Sequence, residues 1–190
     1  PALGSASRRV TWVESTSFAS RAPLSARPNN SSSGIDDHRK YEGLEASLAH
    51  LAEICRRERP DGIAGYSNGG GAAQLVAAAG EVGHEDFQSI RFLMSFAGPT
   101  STMAQRYIRE FLGSQKSRIA MPTIIFGSRH DPMLTNAEQM ARDLFERCDL
   151  AIIDEHQPYA NHALPDRIEC YEPVVSFLKT RARALRVATT

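Results

Sequence analysis

The sequence predicts one α/β domain on a doubly wound, mostly parallel sheet, and three observations support this. Short β-rich runs alternate along the chain with longer amphipathic ones. Three of the short runs are almost continuously apolar, the pattern of strands buried on both faces of a parallel sheet. A length of 190 residues supports one sizeable core.

Taken in order, RRVTWVES (8–15) is the first strand expectation. Residues 20–37 are rich in Ser, Pro and Asn around NNSSSG and predict a long surface loop. The run 41–59 sets Leu44, Leu48, Leu51 and Cys55 three and four apart, one helical stripe that Pro60 ends. GIAGYS (62–67) predicts a strand, and the alanine-rich 69–79 a helix pressed close to the sheet. IRFLMSFAG (90–98), PTIIFGS (122–128) and LAIIDEH (150–156) read as strands. Helices are expected between them at 101–112 and 136–147, the second with Met140 and Leu144 four apart. A closing helix is expected at 168–185. No internal repeat interrupts this alternation, so the expectation is a single domain over 1–190.

Composition excludes several classes. Lys plus Arg equals Asp plus Glu at 22 each, so nothing marks a nucleic-acid footprint or attraction to an anionic membrane. The basic stretch 179–186 (KTRARALR) suits a helix C-terminus through the macrodipole. No apolar run approaches the ~20 residues that span a bilayer. Cys55, Cys148 and Cys170 lack CxxC spacing and read as reduced thiols of a cytoplasmic protein, not as a disulfide framework or zinc site.

The stretch DGIAGYSNGGG (61–71) carries the chemistry. A serine among five glycines is either a flexible linker or a nucleophile on a tight turn. Gly65-Tyr66-Ser67-Asn68-Gly69 satisfies G-x-S-x-G with a strand before it and a helix after it, the context of a nucleophile elbow. Such a turn lifts the Ser67 hydroxyl to a helix N-terminus, where free N–H groups favour developing negative charge. A serine hydroxyl needs a base, and the base needs a carboxylate to orient it. In α/β-hydrolases the chain order is Ser, Asp or Glu, then His.

Asp131 follows the fourth strand expectation within Arg129-His130-Asp131-Pro132, and His162 follows the fifth within His162-Ala163-Leu164-Pro165. Both lie where open α/β sheets gather functional residues, beyond strand C-termini. Rival readings stay open here: Asp131 as a turn aspartate before proline, and His156 as the base. Asp154 and Glu155 lie too near the base in sequence for the usual topology. His130 reads as a solvated loop residue, and His38, His50 and His84 as surface residues.

On these residues the chain resembles the FSH-type serine hydrolases, a branch of the α/β-hydrolase superfamily. Their YEGLEESL-like helix is matched at 41–48, their D-G-hydrophobic-x-G-F-S-Q-G elbow at 61–69, their G-x-x-D-P turn at 127–132 and their H-x-x-P motif at 162–165. The resemblance implies an α/β-hydrolase fold and esterase or thioesterase activity on a small-molecule acyl ester or thioester. It implies no metal or organic cofactor. Ser67 matches the nucleophile, Asp131 the acid and His162 the base, with the Asn68 N–H as an oxyanion donor. Phe96, Met103 and Met133 are the candidate flanks of an acyl groove.

Three departures accompany the match. Asn68 stands where Gln is usual, and the acid turn GSRHDP is one residue longer than the common form. Nothing before RRVTWVES matches the strand and H-G-F-like loop that supply a second oxyanion donor. The fold is therefore expected to lack the first strands and that loop, and the natural protein to be longer. Losing one such donor typically costs ~10²–10³ in turnover. A catalytically weak hydrolase-fold binding protein, or an acyltransferase using the same three residues, are the alternatives.

Overall fold

The computed structural model describes residues 10–13, 44–154 and 162–187. Among the described residues, five strands, β1 (Val10–Val13), β2 (Gly62–Tyr66), β3 (Phe92–Phe96), β4 (Thr123–Ser128) and β5 (Cys148–Ile153), form one sheet in the order β1-β2-β3-β4-β5. Every pairing is parallel, with Tyr66 level with Phe96, Phe96 with Phe126, and Ser128 with Ile153. These are the C-terminal ends of the strands, and they form one rim.

Among the described residues, five α-helices connect or follow the strands: α1 (Leu44–Glu58), α2 (Asn68–Glu81), α3 (Thr102–Leu112), α4 (Ala137–Leu144) and α5 (Glu172–Val187). Right-handed crossovers in a sequentially ordered parallel sheet put the connecting helices on one face. The side chains agree. Ile63, Leu93 and Ile125 pack under α1 to α4 with Leu51, Val76, Ile108, Met140 and Leu144. Their neighbours Ala64, Met94 and Ile124 turn to the other face and pack with Val174 and Phe177 of α5. The period-two alternation of strands thus divides the apolar runs between two cores. Helix α5 lies on the opposite face, and His162 falls between β5 and α5 in sequence.

Small residues on α2 let it sit close to the sheet. A Cβ on Gly70 would lie 2.8 Å from the Cα of Gly98 and 3.1 Å from the Gly65 carbonyl. Helix α1 ends at Glu58 because Arg59 precedes Pro60 and leaves the helical region, at φ 45°. Ser101 caps α3, its hydroxyl accepting the Ala104 N–H at 3.3 Å.

Element boundaries differ from the pattern in three places. The helix expected over 136–147 stops at Leu144, because Phe145 bridges to Ile119 as extended backbone and Glu146 donates to the Ile119 carbonyl at 2.9 Å. That extended path leads into β5 two residues before the expected start. The closing helix begins at Glu172 after a 3₁₀ turn at Ile168–Tyr171, which leaves Pro173 in the first turn, where its missing N–H costs nothing. The loop expected at 20–37, and the outer ends of the strand expected at 8–15, lie outside the described residues. Among the described residues no helix is long and apolar enough to cross a membrane.

Candidate active site

The elbow is built by glycines that something else would occupy. A Cβ on Gly65 would fall 2.1 Å from the Gly69 carbonyl oxygen, so only glycine lets the end of β2 run under the start of α2. Ser67 sits between them at φ 56° and ψ −127°, a conformation rare for a residue with a side chain. Two hydrogen bonds hold it there. Its N–H donates to the Phe96 carbonyl at 2.9 Å, and its own carbonyl accepts the Gly71 N–H at 3.2 Å. Asn68 opens α2, and an N–H in a first helical turn has no partner within the helix.

Asp131 lies beyond β4, 2% exposed, at the start of a 3₁₀ turn over Pro132–Leu134. Its Oδ1 accepts the Met133 N–H at 2.8 Å. The turn is tied to the loop after β3, since both the N–H and the hydroxyl of Thr100 donate to the Met133 carbonyl at 2.9 Å. Gln105 on α3 in turn donates to the Thr100 carbonyl at 3.1 Å.

Strands β2 and β4 are separated by β3, so Ser67 and Asp131 start about 10 Å apart across two strand spacings. One imidazole with a hydrogen bond at each end closes that gap. His162 Nε2 is 2.7 Å from Ser67 Oγ. Its Nδ1 is 3.0 and 2.9 Å from the two oxygens of Asp131. A carboxylate can only accept, so Nδ1 carries the proton and donates to it, which leaves Nε2 free to accept the Ser67 O–H. The imidazole is 32% exposed, whereas the carboxylate is wholly covered.

A fourth side chain, not among the candidates read from the sequence, touches His162 here. Tyr66 donates its hydroxyl to the His162 carbonyl at 2.7 Å, and its ring stacks on the imidazole with centroids 5.3 Å apart at 18°. Burial, and then the nearby Asp131 carboxylate, push the phenol pKa up, so it stays a donor at neutral pH. The legible signal was a hydroxyl at a position where the resembled family carries Phe.

Phe96, Met103 and Met133, the candidate flanks of an acyl groove, lie on three different elements. Phe96 is buried in the core beneath α5, edge-on to Phe126. Met103 is half exposed on α3, and Met133 is half-buried in the acid turn. A small apolar cavity of about 40 Å³ lies beside Asn68, lined by Gly71, Leu75, Pro99, Tyr107 and Ile108 among others. His130 turns to Asp154, with Nε2 3.0 Å from Oδ1. His84 and His50 are exposed on the helical side, while His38, Glu155 and His156 lie outside the described residues.

Comparison with known proteins bears on this arrangement. The sequence profile of a serine hydrolase family (FSH1) matches residues 9–173. A human protein, esterase OVCA2, is 36% identical over 67 residues, which are 35% of this chain and 30% of the relative. Among solved structures, Zea mays acyl-protein thioesterase 2 aligns over 73% of this chain and 64% of its own, at 16% identity and a TM-score of 0.45. An esterase of Pyrobaculum calidifontis aligns over 74% and 60%, at 15% identity and 0.47. The chain thus spans less than a third of the human relative and under two thirds of either structure. With the profile covering most of its length and a parallel sheet carrying the elbow, the chain has an α/β-hydrolase fold and belongs to the FSH1 serine hydrolase family.

Proposed function

We propose that the protein is a serine hydrolase that cleaves carboxylic esters or thioesters through an acyl-enzyme, with Ser67, His162 and Asp131 as its triad in one domain over 1–190. The observation that carries this reading is the 2.7 Å contact between Ser67 Oγ and His162 Nε2, backed by a buried carboxylate on Nδ1. Family membership and the esterase name of the partial human relative favour the same class.

In the acylation step Ser67 Oγ attacks the carbonyl carbon while Nε2 takes its proton. Asp131 holds the tautomer and stabilises the imidazolium, and the Asn68 N–H faces the developing oxyanion. Collapse breaks the bond to the leaving group, which receives the proton from Nε2. Water then repeats the sequence, its proton passing through Nε2 to Oγ as the acid departs. The acyl end is assigned to the apolar cavity beside Asn68. No step requires a metal or organic cofactor.

The test is fluorophosphonate labelling and turnover of p-nitrophenyl and thioester substrates by the wild type and Ser67→Ala. Wild type should label and turn over, and the variant should do neither. Equal turnover by the two proteins would end this reading, and an unlabelled wild type would favour a binding role. Product analysis with an added alcohol or amine separates hydrolysis from acyl transfer.

A further inference from the structure

We infer that Tyr66 is a positioning residue for the base, and that it acts chiefly on the second half of the reaction, when the acyl-enzyme is hydrolysed. The inference rests on the triad proposed above and goes beyond it. Tyr66 is the last residue of β2, immediately before Ser67, so one strand end presents both the nucleophile and a tether for the base. Its ring turns to the α5 face of the sheet, where it packs against the aromatic core of that side. His162 lies over the same rim, with Nε2 2.7 Å from Ser67 Oγ. The outcome is a pair of contacts on one residue: the phenol O–H donates to the His162 carbonyl at 2.7 Å, and the two rings stack.

These contacts do what the hydrogen bonds of the imidazole cannot. Nδ1···Asp131 and Nε2···Ser67 fix two points in the ring plane but leave the ring free to tilt about the line joining them. The flat face of Tyr66 restricts that tilt, and the bond to the carbonyl holds the backbone from which the ring projects. While Ser67 is free, its own hydroxyl helps to keep Nε2 in place. Once Oγ is esterified it has no proton to offer, and the ring keeps only Asp131 and Tyr66. At that stage Nε2 must accept a proton from water, which is far less constrained than a tethered hydroxyl. A ring that wanders by about 1 Å can then cost up to ~10²-fold in rate.

The experiment compares two rates in the full chain and its Tyr66→Phe variant, which keeps the ring and loses the hydroxyl. Fluorophosphonate labelling reports the attack by Ser67. Steady-state turnover of p-nitrophenyl butyrate, expressed per labelled serine so that unfolded chains do not count, includes hydrolysis of the acyl-enzyme. The expected result is a fall of about threefold to tenfold in turnover, the usual range for one lost hydrogen bond, with labelling slowed less than twofold. Tyr66→Leu, which also removes the stacked face, should lose more turnover than Tyr66→Phe. Turnover of Tyr66→Phe within twofold of wild type would overturn the inference. So would parallel losses in both rates, the pattern of general loosening. A wild type that does not label at all removes the triad reading and this one with it, whereas a labelling wild type with an indifferent Tyr66→Phe removes this one alone.

Discussion

Gly65→Ala should separate Ser67 from His162 without touching either. The added Cβ would lie 2.1 Å from the Gly69 oxygen, 2.3 Å from its carbon and 2.7 Å from the Gly70 nitrogen, all main-chain atoms. No side chain can swing aside, so the elbow itself must open. Ordinary contact begins near 3.4 Å, which requires a shift of about 1.3 Å, the difference from 2.1 Å. Overpacking of this kind typically costs about 1–3 kcal/mol. For a chain of this size that lowers the melting midpoint by about 2–4 °C per kcal/mol. The functional loss is larger, because Ser67 lies within the opened turn and its 2.7 Å contact with His162 moves with it. Misplacement by 1 Å costs up to ~10²-fold. Thermal melting by circular dichroism and fluorophosphonate labelling of the folded fraction measure the two effects separately. A variant that melts within 1 °C of wild type and labels at the same rate would refute the argument that glycine is required here.

Other consequences are accessible to simple assays. Asp131→Asn keeps an oxygen for the Met133 N–H, so the fold should hold while kcat falls by about 10⁴-fold through loss of the useful tautomer, as turnover and melting together would show. Ala104 lines the cavity beside Asn68, and Ala104→Leu should cut turnover of butyryl esters more than of acetyl esters, read as kcat/KM across a chain-length series. Gln74 donates to Ser95 at 2.9 Å while its own Oε1 is buried without a partner. Replacing both, as Gln74→Met with Ser95→Ala, should therefore destabilise by less than Gln74→Met alone, measured by urea unfolding. Burial lifts the Cys55 thiol to about 11 and the Cys148 thiol to about 12, above the unfolded value near 9. The folded state holds these protons longer than the unfolded one. Stability from this source is intact below pH 9 and declines as pH rises from 9 towards 11–12, which denaturation at stepped pH would reveal. At pH 8 both thiols should resist iodoacetamide until the chain is unfolded.

Much of the fold was legible because strand and helix write themselves as period and run length. The runs at 62–67, 90–98 and 122–128 each hold a strand, and the α1 stripe of Leu44, Leu48, Leu51 and Cys55 is present as read. Boundaries were less legible where a long-range partner decides them. Nothing local to Phe145 announces that Ile119 will pair with it and stop α4 early. Ser67, Asp131 and His162 were each readable as candidates, because each follows a strand in a recognisable motif. Their separation was not, and neither was the work of Tyr66 or Thr100, whose partners lie 96 and 33 residues away.

By itself, the sequence determined the order of elements, the faces that must be buried and the tight glycine turn beneath the serine. These are local properties, set by spacing, side-chain volume and backbone freedom within a few residues. The tertiary structure alone decided that one imidazole spans the two strand spacings between a hydroxyl and a carboxylate, and that a tyrosine ring lies flat against it. Those relations depend on sheet register and on where the chain crosses from one face to the other, and both are fixed only when segments distant in sequence pack together.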